Sequence, residues 1–144
     1  MRVYAETSFI VALFGQDTHT AKALRWWVDH DLPMMVSGIV VFEAENTFRA
    51  AHLRGLISAE FRDACLARVQ RAIMAGKIHV LNLNLKPLLT EARRISAFSS
   101  TGLPHRAMDV LHVAAACLLR CAVMLSFDEN QSKLAKDFGL VVSP

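Results

Sequence analysis

Short apolar runs alternate along this chain with longer stretches whose apolar positions recur every three or four residues. The first pattern is that of strands buried on both faces, the second that of helices. Strands are predicted at Val3–Ala5, Met34–Ser37, Ile78–Asn82, Ala122–Phe127 and Leu140–Ser143. Helices are predicted from near Thr7, over His19–His30, over Ile39–Leu53, from an N-cap at Ser58 to about Ala75, and over Leu85–Phe98, His105–Leu119 and Asp128–Phe138. Local chemistry supports several of these ends. Ser58 has a hydroxyl that can accept from a free amide of the next turn. Pro87 falls in a first turn, where its missing N–H costs nothing. Gly139 suits the left-handed residue that follows a helix. Strands alternating with helices predict an α/β fold: three αβα layers around a mainly parallel sheet, in a single domain spanning residues 1–144.

Composition narrows the class further. Hydrophobic residues make up 53% of the 144 and charged residues only 20%, which excludes a disordered chain and leaves apolar surface for a partner. The formal net charge of +3 suits an anionic partner without demanding one. Cys65, Cys117 and Cys121 show no disulfide or zinc spacing, so free, packed thiols are expected. Glu6 interrupts the first apolar stretch, and Asp109, His112 and Arg120 break the longest one, so neither an export signal nor a membrane span is expected. The chain reads as soluble and cytoplasmic.

The informative chemistry lies in four acids. Parallel sheets bind ligands beyond the carboxyl ends of their strands. Glu6 follows one strand and Asp128 another, while Glu43 and Asp109 sit on helices able to lean over that edge. Each has an ordinary reading as well. Asp128 with Gln131 three residues on makes a capping pattern. Glu6 alone is a solvated acid at a strand end. Glu45 has Arg49 four residues later and reads as a surface pair, whereas Glu43 has only Asn46 and Thr47 beside it. His105, Asp109, His112 and Arg120 form a narrow polar stripe on an otherwise apolar helix, expected to face a polar cleft. If the four carboxylates met about 5 Å apart, each pair would repel by roughly 3 kcal/mol at an effective dielectric near 20. Such a cluster must take up cations or protons. Hard oxygen donors of this kind favour Mg²⁺ or Mn²⁺.

Three segments, YAETSFIVALF, VSGIVVFEAENTFRA and GLPHRAMDVLHVAAACLLRCAVMLSFDENQSKLAKDFGLVVSP, together resemble the PIN-domain nucleases, in particular VapC-like toxins of VapBC toxin–antitoxin systems. The resemblance lies in their order and spacing: a strand leading to an acid and Thr/Ser, a Glu-bearing helix, then a helical Asp and a strand ending in Ser-Phe-Asp. It implies a PIN-like fold and a Mg²⁺- or Mn²⁺-dependent ribonuclease. Its metal-binding and catalytic set would be Glu6, Glu43, Asp109 and Asp128, with Ser8 and Ser126 as supporting polar residues. It also implies an antitoxin partner and a homodimer, whose surfaces Trp26, Trp27, Phe42 and Phe48 could line, although each taken singly is expected to be core. Two adjacent tryptophans cannot share one helix face, which points one of them towards an interface. Arg49, Arg54, Arg106 and Lys133 are candidate guides for the RNA backbone. The family usually opens with Asp where this chain has Glu6. The extra methylene implies either a shifted metal preference or a weakened enzyme.

Two other readings stand beside this one. His105, Asp109 and His112 have helical spacing suited to a transition metal. Alternatively, the chain is a catalytically weakened PIN-like module that binds RNA or protein without cutting.

Overall fold

The computed structural model describes residues 1–144. Five strands, β1 (Val3–Ala5), β2 (Met34–Ser37), β3 (Ile78–Leu81), β4 (Val123–Leu125) and β5 (Val141–Ser143), form one sheet in the order β3-β2-β1-β4-β5. Every pairing is parallel, so the mainly parallel sheet expected from sequence is wholly so. Seven helices connect them: α1 (Thr7–Phe14), α2 (Thr20–His30), α3 (Gly38–Leu53), α4 (Ala59–Met74), α5 (Leu85–Phe98), α6 (Ala107–Leu118) and α7 (Glu129–Asp137). The chain steps from β1 through β2 to β3 in one direction, then crosses back to β4 and β5. Right-handed crossovers therefore put α1–α4 on one face of the sheet and α5–α7 on the other, giving the αβα layering.

The two central strands are buried at every residue, because helices cover both of their faces. Tyr4, Phe9, Met124 and Leu125 are among the fully buried side chains of the core beneath the site. Ser58 accepts from the Phe61 amide at 3.0 Å, and Gly139 takes a φ of +85° just past α7, as their residue types require. All three cysteines are free, with Cys65 and Cys121 buried. No helix is long and apolar enough to cross a membrane.

One expected boundary needs correcting. Helix α6 begins at Ala107 rather than His105, because Arg106 is its extended N-cap residue and His105 belongs to the preceding loop. The helix aromatics are mostly core, as expected for each singly. Trp26 and Phe48 are buried, and Trp27 packs edge-on against Phe14 at 5.3 Å between ring centroids. Adjacent tryptophans do diverge, but α1 is close enough to receive the second one. Phe42 alone of the four is exposed, at 66%.

Candidate functional site

The sheet reverses its winding between β1 and β4, the place where an open parallel sheet leaves a crevice at its carboxyl edge. Register makes the two strands end level. Ala5 is opposite Leu125, and the Glu6 amide donates to the Leu125 carbonyl at 3.1 Å. Residues 6–8 and 126–128 are consequently neighbours, and the Phe127 amide donates to Ser8 Oγ at 2.9 Å. A cavity of about 380 Å³ opens at this point, and Glu6, Glu43, Asp109 and Asp128 all line it. Thr7, Ser8, Asp17, His19, His112 and Phe127 complete most of its wall.

Each acid is held by its own local structure. Glu6 caps α1: its Oε1 accepts from the Ser8 amide at 3.0 Å and from the Ser8 hydroxyl. Its side chain is only 3% exposed, and burial raises its pKa above the ordinary value, an effect that the Ser8 contacts, His112 and Ser126 reduce without cancelling. Asp128 caps α7, accepting from the Gln131 amide at 2.8 Å. Ser126, also buried, accepts from the Asp128 amide at 3.1 Å and donates to Gln131 Oε1 at 3.2 Å, which ties the strand end to the cap. Asp109 is half-buried in the first turn of α6, and its carboxylate accepts one side-chain hydrogen bond, from Gln131 Nε2 at 3.5 Å. Burial and then the charge of Asp128 raise its pKa, only partly offset by Arg106 and His112.

Glu43 departs furthest from the sequence reading. It is not without a partner. Its Oε1 accepts from Thr7 Oγ1 at 2.6 Å and from His112 Nε2. Burial works to raise its pKa, but the hydrogen bonds from His112 and Thr7 and the charge of His112 outweigh it and leave the pKa lowered. Beneath this pair, Tyr4 Oη lies 3.2 Å from His112 Nδ1 and 3.0 Å from Ser37 Oγ. With Nε2 directed at the Glu43 carboxylate, Nδ1 is the ring nitrogen that meets the tyrosine hydroxyl. The Tyr4 pKa is raised above its ordinary value by burial. A continuous hydrogen-bonded chain thus runs from the cavity into the core and fixes the Glu43 carboxylate.

The polar stripe on α6 does not face one place. His112 points inwards, only 2% exposed, and Arg120 lies beyond the helix with a φ of +54°. His105 bonds Thr101 Oγ1 at 2.7 Å and lines a different recess, between α5 and α6. These separate engagements remove the basis for a His105–Asp109–His112 site. Among the candidate RNA guides, Arg106 borders a recess shared with Asp109 and Asp128, whereas Arg49 pairs with Glu45 at 3.2 Å.

The donor set suits a hard divalent cation, since the cavity offers five carboxylates, the four expected acids and Asp17, and no thiol. As they stand, no three His, Cys, Asp or Glu side chains converge closely enough to form a metal-holding group. The hydrogen bonds account for this: each carboxylate turns one oxygen towards a protein donor. The second oxygens of Glu43 and Asp128 make no hydrogen bond within the chain. A cation would therefore draw on oxygens not already used to hold the acids.

Sequence reasoning missed Thr7, which with His112 completes the setting of Glu43; it also missed Asp17, and His19, which stacks on Phe127 at the cavity mouth. The His112 signal was present as a histidine on an apolar helix; its partner, 69 positions away, was not.

The PIN-domain family model matches residues 3–137. Among solved structures, the VapC20 sarcin–ricin-loop-cleaving toxin of Mycobacterium tuberculosis aligns with a TM-score of 0.67 at 20% identity, covering 90% of this chain and 92% of that one. FitAcB of Neisseria gonorrhoeae aligns at 0.73 and 17% identity, covering 99% and 96%. VapBC2 of Rickettsia felis, solved with a promoter DNA fragment, aligns at 0.65 and 12% identity, covering 99% and 98%. At such identities the likeness is one of fold. Comparison with curated proteins finds no match.

Proposed function

The chain belongs to the PIN-domain family, and from that premise we propose that it is a metal-dependent endoribonuclease, the toxin of a type II toxin–antitoxin pair. One observation carries the reading: Glu6, Glu43, Asp109 and Asp128, from two strand ends and two helices, line one cavity at the sheet's switch point. Glu6 and Asp109 would be the principal ligands of Mg²⁺ or Mn²⁺, with Asp128 and Glu43 completing or orienting the set. When bound, the ion supplies charge stabilisation for hydrolysis of an RNA phosphodiester.

The chain's own residues prepare the place. Ser8 holds Glu6, and Ser126 with Gln131 holds the Asp128 turn. His112, braced by Tyr4, holds Glu43, and a bound cation would draw the other acids together through the oxygens the protein leaves free. Arg106, exposed beside Asp109 and Asp128, is placed to meet a flanking phosphate. We read residues 1–144 as one PIN domain working in the cytoplasm. The antitoxin partner is supported by the fold shared with VapBC2 and FitAcB; the exposed Phe42, Val28 and Leu53 side chains offer apolar surface for it and for the homodimer we propose beside it.

A second reading, a weakened module that binds RNA or protein, is favoured by the way Glu6 turns its carboxylate back onto α1. Cleavage of single-stranded RNA with Mg²⁺, Mn²⁺ or EDTA separates the two. Metal-dependent cutting by the wild type, lost in Asp109→Asn, is expected for the nuclease. Retained RNA binding with no cutting under any metal would replace it by the second reading.

A further inference from the structure

The mouth of the acid cavity carries a feature that metal binding does not use. Phe127, between the β4 end and Asp128, stacks on the fully buried Phe9 at 5.9 Å and an interplanar angle of 12°. It also stacks on His19 at 4.4 Å and 9°. The three rings form a nearly parallel series that starts in the core and ends at the surface, since His19 is exposed. Its imidazole makes no hydrogen bond within the chain and does not cap α2, whose N-cap position it occupies. Stacking alone accounts for where the ring sits.

The backbone beneath it is well fixed. The His19 amide donates to Asp17 Oδ1 at 2.7 Å, while Thr20 Oγ1 accepts from the Asp17 amide at 2.9 Å and donates to the Ala12 carbonyl at 2.7 Å. A planar ring is thus held at the rim of a cavity lined by five carboxylates, Asp17 among them. Resting on the nuclease reading above, we propose that His19, backed by Phe127, is a stacking platform for one unpaired nucleobase of single-stranded RNA next to the bond being cut. Aromatic rings stack bases of any identity, and only a base splayed from its neighbours offers a free face. The platform would therefore select single-stranded segments over duplex and fix the register of the strand across the acids. A base there also tolerates the negative rim better than a phosphate would, since its ring carries no charge.

The test is a double-mutant cycle between protein and substrate. Wild type, His19→Ala and His19→Phe are compared on a mixed-sequence single-stranded RNA oligonucleotide and on versions with one abasic nucleotide at each position flanking the cut. His19→Ala should raise KM or lower kcat/KM roughly five- to a hundredfold, the range expected for one lost base–aromatic stack. His19→Phe should restore most of it. At one flanking position the abasic substrate should cost the wild type the same factor and cost His19→Ala nothing further. Equal kinetics for wild type and His19→Ala would overturn the platform while leaving the nuclease intact. So would losses that add at every abasic position, or an effect confined to antitoxin binding. A wild type that neither binds nor cuts RNA would overturn the nuclease reading, and the platform with it.

Discussion

Asp109→Asn separates the cost of gathering acids from the gain of filling the site. The substitution keeps the shape of the side chain. It puts at risk only the hydrogen bond to Gln131, which at 3.5 Å is at the limit of such contacts, so the loss should stay below about 1 kcal/mol. Against this it removes a charge that burial and Asp128 both disfavour. The sign follows from the raised pKa. A carboxyl that holds its proton more tightly when folded contributes stability below its unfolded pKa and loses it as pH rises through the folded value. At neutral pH the wild-type apoprotein therefore bears a cost that the asparagine variant does not. Without metal the variant should be at least as stable as the wild type, and its stability should vary less with pH across the acid range. With metal the order reverses. An ion at about a hundred times its Kd adds about 2.7 kcal/mol, on the order of 5–10 °C in Tm for a chain near this size. Calorimetry or scanning fluorimetry with Mg²⁺, Mn²⁺ and EDTA reads both effects. A variant that melts well below the wild-type apoprotein, or that keeps the full metal-induced rise, would refute the reasoning.

The other predictions concern the frame of the site. Tyr4→Phe leaves His112 Nδ1 and Ser37 Oγ without their shared partner and should cost about 1–3 kcal/mol in urea denaturation. His112→Ala should cost more, since it adds a cavity and releases Glu43. At Gly15 an added Cβ would lie 2.7 Å from the Val11 carbonyl and 3.0 Å from Phe48 Cε1, so Gly15→Ala should destabilise by about 1–3 kcal/mol. At Gly38 nothing lies within 4 Å, so Gly38→Ala should be neutral or stabilise by up to about 1 kcal/mol; thermal melts of the pair compare them directly. Because Glu6 and Asp109 keep protons more readily than ordinary carboxylates, metal-induced stabilisation should fall as pH drops, and titrations that show it constant down to acid pH would contradict this.

Much of this architecture is legible in short windows of sequence. The burial period of Val3–Ala5 and Val123–Leu125, the Ser58 cap and the glycine after α7 depend on contacts within a few residues, so local pattern reveals them. The order of acids and their placement after strands point to the cavity on the same grounds. Partnership is another matter. Thr7 and His112 reach Glu43 across 36 and 69 positions respectively only because β1 lies beside both β2 and β4, a fact of strand order that no periodicity encodes. Trp27 turned out to be packed for a similar reason, since α1 covers a second face of α2. The chain thus determined by itself which segments are strands and helices, and which acids stand at their ends. The tertiary structure alone decided which oxygen of each acid is already engaged, that Glu43 leans on a buried histidine, and that a core aromatic column surfaces as His19. Hydrogen bonds and ring stacks between distant segments need sub-ångström placement, and that exists only once the sheet has ordered its strands.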